Sequence, residues 1–439
     1  MDDAPADPES LRAEARAWYE ANWDPDCTAG AWYAKMTAAR WAYPTWPTRW
    51  WGRGLGTGLA KIVREERKRV GALGPPSGIG PTLLAPMLFE HGTDEQCRRF
   101  LWGFAAEGLL TCQMLSEPEA GSDLAGVHTR AERDGDEWVI TGSKVWTSNA
   151  DSVDYGMLLA RTNWDVPKHR GLTFFLVRRD QPGVEVRPLR QMTGDARFNQ
   201  VFFNEARVAA ADVLGEVDGG WAVTRTFLAH EKNSYNPASH EGGPFGRVPL
   251  GEAAGAVLAA EAARTNATSQ GRGVGRILDQ LVERAGLADD PLVRQRRAQL
   301  HMLRQTMNFT NLRARAERRP GPEGAISKIT VSELTRGQRD LGLAVQGPHG
   351  MLTGADAPSA QFQHFALSTP ALSIAGGTDQ IQRNHLGERS LGLPGEPKTD
   401  DQLAFREVLA RAQWAARPPD RSGRRPDGAP AERGRARRR

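Results

Sequence analysis

The stretch Gln113-Met-Leu-Ser-Glu-Pro-Glu-Ala-Gly-Ser-Asp-Leu-Ala-Gly126 leads through an alternating segment into Gly142-Ser-Lys-Val-Trp-Thr-Ser148. Ser116-Glu-Pro118 and Ala120-Gly-Ser-Asp123 are turn chemistry. Proline fixes one dihedral, and Gly121 lets the backbone bend tightly or approach a ligand closely. The hydroxyls of Ser116 and Ser122, with the amides around Gly121, suit a phosphate. Trp146 offers a large flat ring beside the hydroxyls of Thr147 and Ser148. A polar cradle followed by an aromatic plate fits a ligand that joins a phosphate bridge to a flat ring. Each stretch taken alone also reads as an ordinary surface turn or a half-buried strand.

Outward from these loops the hydrophobic period changes twice. Residues 9–110 read as helical, with Leu11, Ala15, Trp18 and Tyr19 at helix spacing. Gly54-Leu-Gly-Thr-Gly58 lacks the spacing of a dinucleotide loop and follows no strand, so it reads as the loop before a helix near Leu59. From about 111 to 215 the period is two, with β-like runs at 137–141, 155–160, 172–177, 184–189 and 201–203. Asp134-Gly135 marks a hairpin turn between strands. Short strands separated by turn signals predict a compact barrel or sandwich. Helical spacing returns near Gly219, where Trp221, Thr224, Phe227, Leu228 and Glu231 share a face. Segments 253–263, 277–288, 291–318, 326–344 and 380–391 read as further helices, most of them in a bundle. The expected order is a helical domain over 1–110, a β domain over 111–217 and a helical bundle over 218–396. A short helix over 397–415 and a disordered arginine-rich tail over 416–439 follow. The fold class is α+β.

Composition narrows the function classes. At 439 residues the chain is long enough for two or three domains with a substantial core. No apolar run approaches a membrane span, and the acidic start Met1-Asp-Asp-Ala-Pro carries no signal core. Cys27, Cys97 and Cys112 are odd in number and far apart, so no disulfide framework or metal site is expected, and a reducing cytoplasm fits. The net charge of +4 invites a nucleic-acid reading. Residues 416–439, however, hold nine arginines against three acids, which leaves −2 for the rest. No specific nucleic acid is expected.

Met114 to Gly126, followed by Val145-Trp-Thr-Ser148, resembles the two flavin-contacting loops of the acyl-CoA dehydrogenase family. The resemblance covers roughly residues 8–396. It implies a helix–strand–helix fold, FAD, an acyl-CoA substrate and electron-transfer flavoprotein as electron acceptor. The implied reaction takes the α-proton of an acyl thioester on a carboxylate and the β-hydrogen as hydride on the flavin, giving a 2-enoyl-CoA. By resemblance, Gln113, Leu115 and Ser116 lie along the isoalloxazine edge. Gly121 and Ser122 approach the flavin pyrophosphate or the acyl-CoA. Trp146 packs on the ring, with Thr147 and Ser148 beside it. Thr378 and Gln380, in Gly376-Gly-Thr-Asp-Gln-Ile-Gln-Arg383, resemble the family's late flavin contacts. Because the family binds flavin across a subunit interface, a homodimer, a homotetramer or a heterotetramer with a paralogue is implied.

The sequence departs from this pattern where many members place the catalytic glutamate. That position is Gly376, which offers a backbone N–H but no base; with Gly377 it is expected beside the thioester. Some members carry the glutamate on the first helix after the β domain, before a basic residue. Here that is Glu231-Lys232, and Glu231 is the candidate base with Lys232 in the substrate site. The residues alone leave open a solvated helix-end glutamate. Two rival functions remain: a non-catalytic partner subunit of a heteromer, and a flavin-dependent monooxygenase on the same fold.

Overall fold

The structure is a computed structural model describing residues 7–234, 243–269, 274–316, 321–397, 400 and 402–415. Helices α1 (Pro8–Asn22), α2 (Ala29–Ala38), α3 (Thr57–Val70), α4 (Ala85–His91) and α5 (Asp94–Ala106) come first. Asp7 caps α1 by accepting from Ser10 N at 2.9 Å, with Pro8 at the first helical position. The stripe Leu11, Ala15 and Tyr19 is buried. Thr93 and Gln96 form a capping box at the start of α5. Trp32, Trp41, Trp46, Phe100 and Phe104 fill the core between these helices. The buried Trp32 indole is satisfied by donating to Leu73 O at 2.9 Å.

Eight strands follow: β1 (Thr111–Met114), β2 (Arg130–Asp134), β3 (Glu137–Ser148), β4 (Tyr155–Arg161), β5 (Leu172–Arg178), β6 (Val184–Leu189), β7 (Phe198–Ala209) and β8 (Val213–Leu214). They form one sheet in the order β6-β7-β3-β2-β4-β5-β8, with β1 parallel to β4 off that path. Asp134 pairs with Glu137 across the β2–β3 hairpin, and Gly135 takes the left-handed conformation (φ 60°) that the two-residue turn requires. The rings of Trp138 on β3 and Phe175 on β5 lie 5.6 Å apart although β2 and β4 separate those strands. The sheet therefore curls around an inner core that includes Ile140, Leu158, Phe175 and Val201. Its outer face, through Met157, Leu159, Phe174 and Leu176, packs on the N-terminal helices. β4 and β5 are buried on both faces for this reason, and they read as continuous apolar runs.

α6 (Gly220–Ser234) crosses β5 and α4. A Cβ on Gly220 would stand 2.7 Å from the Thr173 carbonyl carbon, so glycine permits this close approach. Val223 and Phe227 join the first core, as do Ala254 and Val257 at the start of α7 (Ala254–Ser269). α8 (Val274–Arg284), α9 (Pro291–Ala316), α10 (Glu323–Gln346) and α11 (Ala360–Leu372) build a separate core from Leu278, Leu281, Val293, Leu341 and Phe362. α12 (Asp379–Asn384) packs on α10. Residues 218–396 are thus divided between two cores. α11 had no counterpart in the sequence reading; it carries Pro370 near its end and no clear apolar stripe. α13 (Phe405–Ala415) returns to the sheet, and the tail 416–439 lies outside the described residues. Among the described residues no helix is long and apolar enough to cross a membrane.

Candidate functional site

β1 delivers Gln113 to the site loop by pairing with Met157 of β4. The two early loops meet where Val145 N donates to Ser116 O at 2.9 Å. Leu115 is buried and Ser116 half-buried. Glu117 and Ala120 exchange backbone hydrogen bonds of 3.0 and 3.1 Å, which closes a tight turn on Pro118 and Glu119. Gly121 and Ser122 follow, both exposed. A Cβ on Gly121 would meet nothing within 4 Å. Among the described residues no packing demands glycine there, which leaves room for a ligand to approach the backbone.

A buried charge network fixes this loop from beneath. Lys144 has no exposure and donates to Leu115 O at 2.9 Å and to Glu117 Oε1 at 2.7 Å. Glu117 also accepts from His128 N at 2.6 Å and Thr129 N at 2.8 Å. Burial pushes the Lys144 ammonium down to about 8 against the attraction of Glu117. Burial acts to raise Glu117, but Lys144 and the two N–H donors outweigh it and hold the carboxyl below its ordinary value. Arg161, also fully buried, donates to the carbonyls of Ala125 and Val127. The sequence reading missed this network. Its signal was present: Lys144 shares strand parity with the inward residues Trp138 and Ile140, and an inward charge requires a partner.

Trp146 owes its orientation to a bulge. Lys144 pairs with Val201 and Thr147 with Asn199, so Val145 and Trp146 together oppose one residue of β7. Trp146 takes φ 62°, and its ring turns out to 59% exposure, edge-on to Phe198 at 5.9 Å. A large ring held outward in strained backbone fits a flat ligand. Among the described residues, Gln113 Oε1 and Thr147 Oγ1 are buried without a hydrogen-bond partner, so the polar capacity of this end of the sheet is incompletely used. Ser148 is half-buried. These features fit a flavin.

Glu231 is half-buried near the end of α6. It shares its face with Phe227 and with Leu228, which packs on the first core. Ala222 lies half a turn away on the opposite face. That face, with Arg225, Thr226, Ala229 and His230, lines a cleft of about 360 Å³ with Glu90 and His91. Burial pushes His230 below its ordinary value. His230 and Glu231 thus serve different surfaces. The side chain of Lys232 lies outside the described residues.

Gly376 and Gly377 both have positive φ, 66° and 80°. Thr378 caps α12, its Oγ1 accepting from Ile381 N at 3.1 Å, and Gln380 is exposed. Asp379 is buried between Lys328 and Arg336, each at 2.8 Å. Among the described residues, no hydrogen bond, ion pair or ring contact joins residues 373–382 to the early loops. The early residues Gln113, Leu115, Ser116, Trp146, Thr147 and Ser148 are gathered in one place; the late ones lie at α12, which packs on α10. Among the described residues no cluster of side chains suits a metal ion.

Comparisons with known proteins follow the same order. The chain matches the acyl-CoA dehydrogenase N-terminal domain over residues 8–108, the middle domain over 112–206 and the C-terminal domain over 256–391. It is 36% identical over 412 residues to acyl-CoA dehydrogenase IpdE1 of Mycobacterium tuberculosis, covering 89% of this chain and 99% of that protein. It is 34% identical to acyl-CoA dehydrogenase FadE34 of the same organism, over 80% of this chain and 44% of that one. Among solved structures, the Tcur3481-Tcur3483 steroid ACAD matches with a TM-score of 0.63 and 25% identity, over 90% of this chain and 100% of that one. The ChsE4-ChsE5 complex from Mycobacterium tuberculosis matches with a TM-score of 0.62 and 26% identity, over 90% and 99%.

Proposed function

Because the chain belongs to the acyl-CoA dehydrogenase family, FAD-dependent oxidoreductases acting on the CH–CH group of acyl-CoA, we propose that it dehydrogenates an acyl-CoA with Glu231 as base. The observation that carries the reading is the joined pair of early loops, with Trp146 turned outward on its bulge. Bound FAD supplies the two-electron acceptor. Gln113, Leu115 and Ser116 line its ring, Trp146, Thr147 and Ser148 flank it, and Gly121 and Ser122 receive a phosphate or the thioester arm. Glu231 removes the α-proton, and its half-buried position favours a base less solvated than a surface carboxylate. Gly376 and Gly377 offer backbone N–H groups to the thioester oxygen, and Thr378 and Gln380 complete the flavin contacts. The named steroid relative favours a bulky acyl group as substrate. Electron-transfer flavoprotein is the proposed acceptor and the cytoplasm the proposed compartment, in keeping with three free cysteines.

One observation favours a heteromer. Met302, Phe309 and Leu312 of α9 are 66%, 66% and 58% exposed, and residues 291–316 contain six arginines and no Asp or Glu. By helix spacing Arg294 and Arg313 fall on the face of these apolar side chains, and a non-identical partner with an acidic face would match them.

The test is an anaerobic titration of the yellow protein with a panel of acyl-CoAs, steroid side-chain thioesters included. Bleaching of the flavin band by one class is expected. Flavin bound but unbleached by every thioester would overturn the dehydrogenase reading in favour of a non-catalytic subunit.

A further inference from the structure

Among the described residues, no carboxylate lies within hydrogen-bond reach of the buried Arg161 guanidinium. It donates to Val127 O at 3.1 Å, Ala125 O at 2.6 Å and Lys168 O at 3.1 Å. Two of these carbonyls belong to the turn that directly follows Gly121, Ser122 and Asp123. The ring of Phe405, 3% exposed, covers the guanidinium with its centroid 3.7 Å from Cζ. Burial pushes Arg161 down to about 10, so its cation depends on these carbonyl acceptors and on the ring face.

Phe405 comes from the far end of the chain and is itself docked. Its N–H donates to Val166 O at 2.9 Å, Arg406 N donates to Trp164 O at 3.1 Å, and Arg406 pairs with Asp165. The Phe405 ring also packs on His128 and Trp164, at 5.5 and 5.6 Å. A second link runs in parallel. Lys168 Nζ lies 3.1 Å from Asp123 Oδ2 and 3.0 Å from Asp400 Oδ2. One end of the chain therefore reaches the candidate ligand loop at two points, Asp123 and the 125–127 carbonyls, through two separate cations.

We propose that Asp400 and the first turn of α13 brace the 121–128 turn, with Phe405 and Asp400 as positioning residues acting through Arg161 and Lys168, and that this brace strengthens FAD binding. The second half rests on the reading that Gly121 and Ser122 lie against the flavin. Neither residue touches the reacting atoms.

The test uses full-length Phe405→Ala, Asp400→Asn and the double variant, with Phe405→Tyr as the ring-keeping control. Amide hydrogen exchange of residues 121–129 is read in the flavin-free protein, and FAD affinity by flavin fluorescence. In the double variant, exchange in this turn rises about tenfold and FAD Kd rises by a similar factor, with α9 and α10 unchanged. Phe405→Tyr stays near wild type. Unchanged protection of 121–129 in the double variant overturns the brace. A loosened turn with unchanged FAD Kd overturns its link to the cofactor. If Phe405→Ala raises exchange throughout the chain, the isosteric Asp400→Asn decides: a local rise at 121–129 supports the brace, and none overturns it. A wild-type protein that takes up no FAD would sink the flavin reading of the loop, while exchange would still decide the brace.

Discussion

Around the early loops buried charges hold the backbone from within, whereas around Gly376 the neighbouring bundle leaves apolar side chains in solvent. Glu117 within the loop and Lys144 and Arg161 beneath it are all buried, and apart from the bond from Arg161 to Lys168 O their side-chain hydrogen bonds stay with residues 115–129. Against α10, Asp379 is comparably clamped, but Ile374 just before the late loop is 65% exposed, and α9 has only Val293 buried among its described side chains. The difference teaches where the chain is self-sufficient. The early loops are braced by contacts within the chain, while α9 leaves large apolar side chains exposed.

The strongest break of this comparison is Lys144→Met. It leaves the Glu117 carboxylate buried beside two N–H groups but without its cation, a loss of about 3–5 kcal/mol. Thermal unfolding of the flavin-free protein measures it. Adding Glu117→Gln recovers part of the loss, since the amide oxygen still accepts from His128 and Thr129. A cost under about 1 kcal/mol would mean that the loop does not depend on its buried pair.

Trp146→Ala sharpens the same contrast from the ligand side. The ring is mostly exposed, so the flavin-free protein changes in stability by no more than about 0.5 kcal/mol. FAD affinity falls about tenfold, the worth of one stacked aromatic contact, and Trp146→Phe loses less. Equal affinity in the alanine variant would remove Trp146 from the site.

Acid probes the bundle. Burial acts to raise Asp379, but hydrogen bonds from Lys328, Ser332 and Arg336 win and hold it at about 2. A depressed carboxyl contributes its stability in full above its unfolded value near 4 and loses it as pH falls towards 2. Asp379→Asn should flatten the pH dependence of unfolding in that window; an unchanged slope would show that the clamp contributes nothing there. The smallest effect on the isolated fold belongs to Met302→Glu and Phe309→Glu, within about 0.5 kcal/mol each. Their effect is expected in assembly, as a fall in particle mass by light scattering. An unchanged mass would rule out α9 as the interface.

Much of the fold was legible in the sequence because its periods are clean. Leu11, Ala15 and Tyr19 announced α1, and Phe227 with Leu228 announced the inner face of α6. The β2–β3 turn was written in Asp134-Gly135. Less legible was what depends on long-range register. The bulge that turns Trp146 outward arises from a mismatch with β7, which no local pattern encodes. The pairing of Glu117 with Lys144 depends on the curl of the sheet, though the inward parity of Lys144 hinted at it. α11 escaped because Gln361, His364 and Pro370 blur its stripe. The placement of α6 in the first core rather than in the bundle follows from the close approach at Gly220, which reads in sequence only as an ordinary helix-start glycine.

The most direct test compares wild type with Glu231→Gln in a single anaerobic turnover against a thioester that bleaches the wild-type flavin. Both proteins are expected to retain FAD and bind the acyl-CoA. The variant should reduce its flavin about 10³-fold more slowly, within the range that loss of a general base produces. Reduction of the variant at the wild-type rate would contradict Glu231 as the base and return the proton to another group.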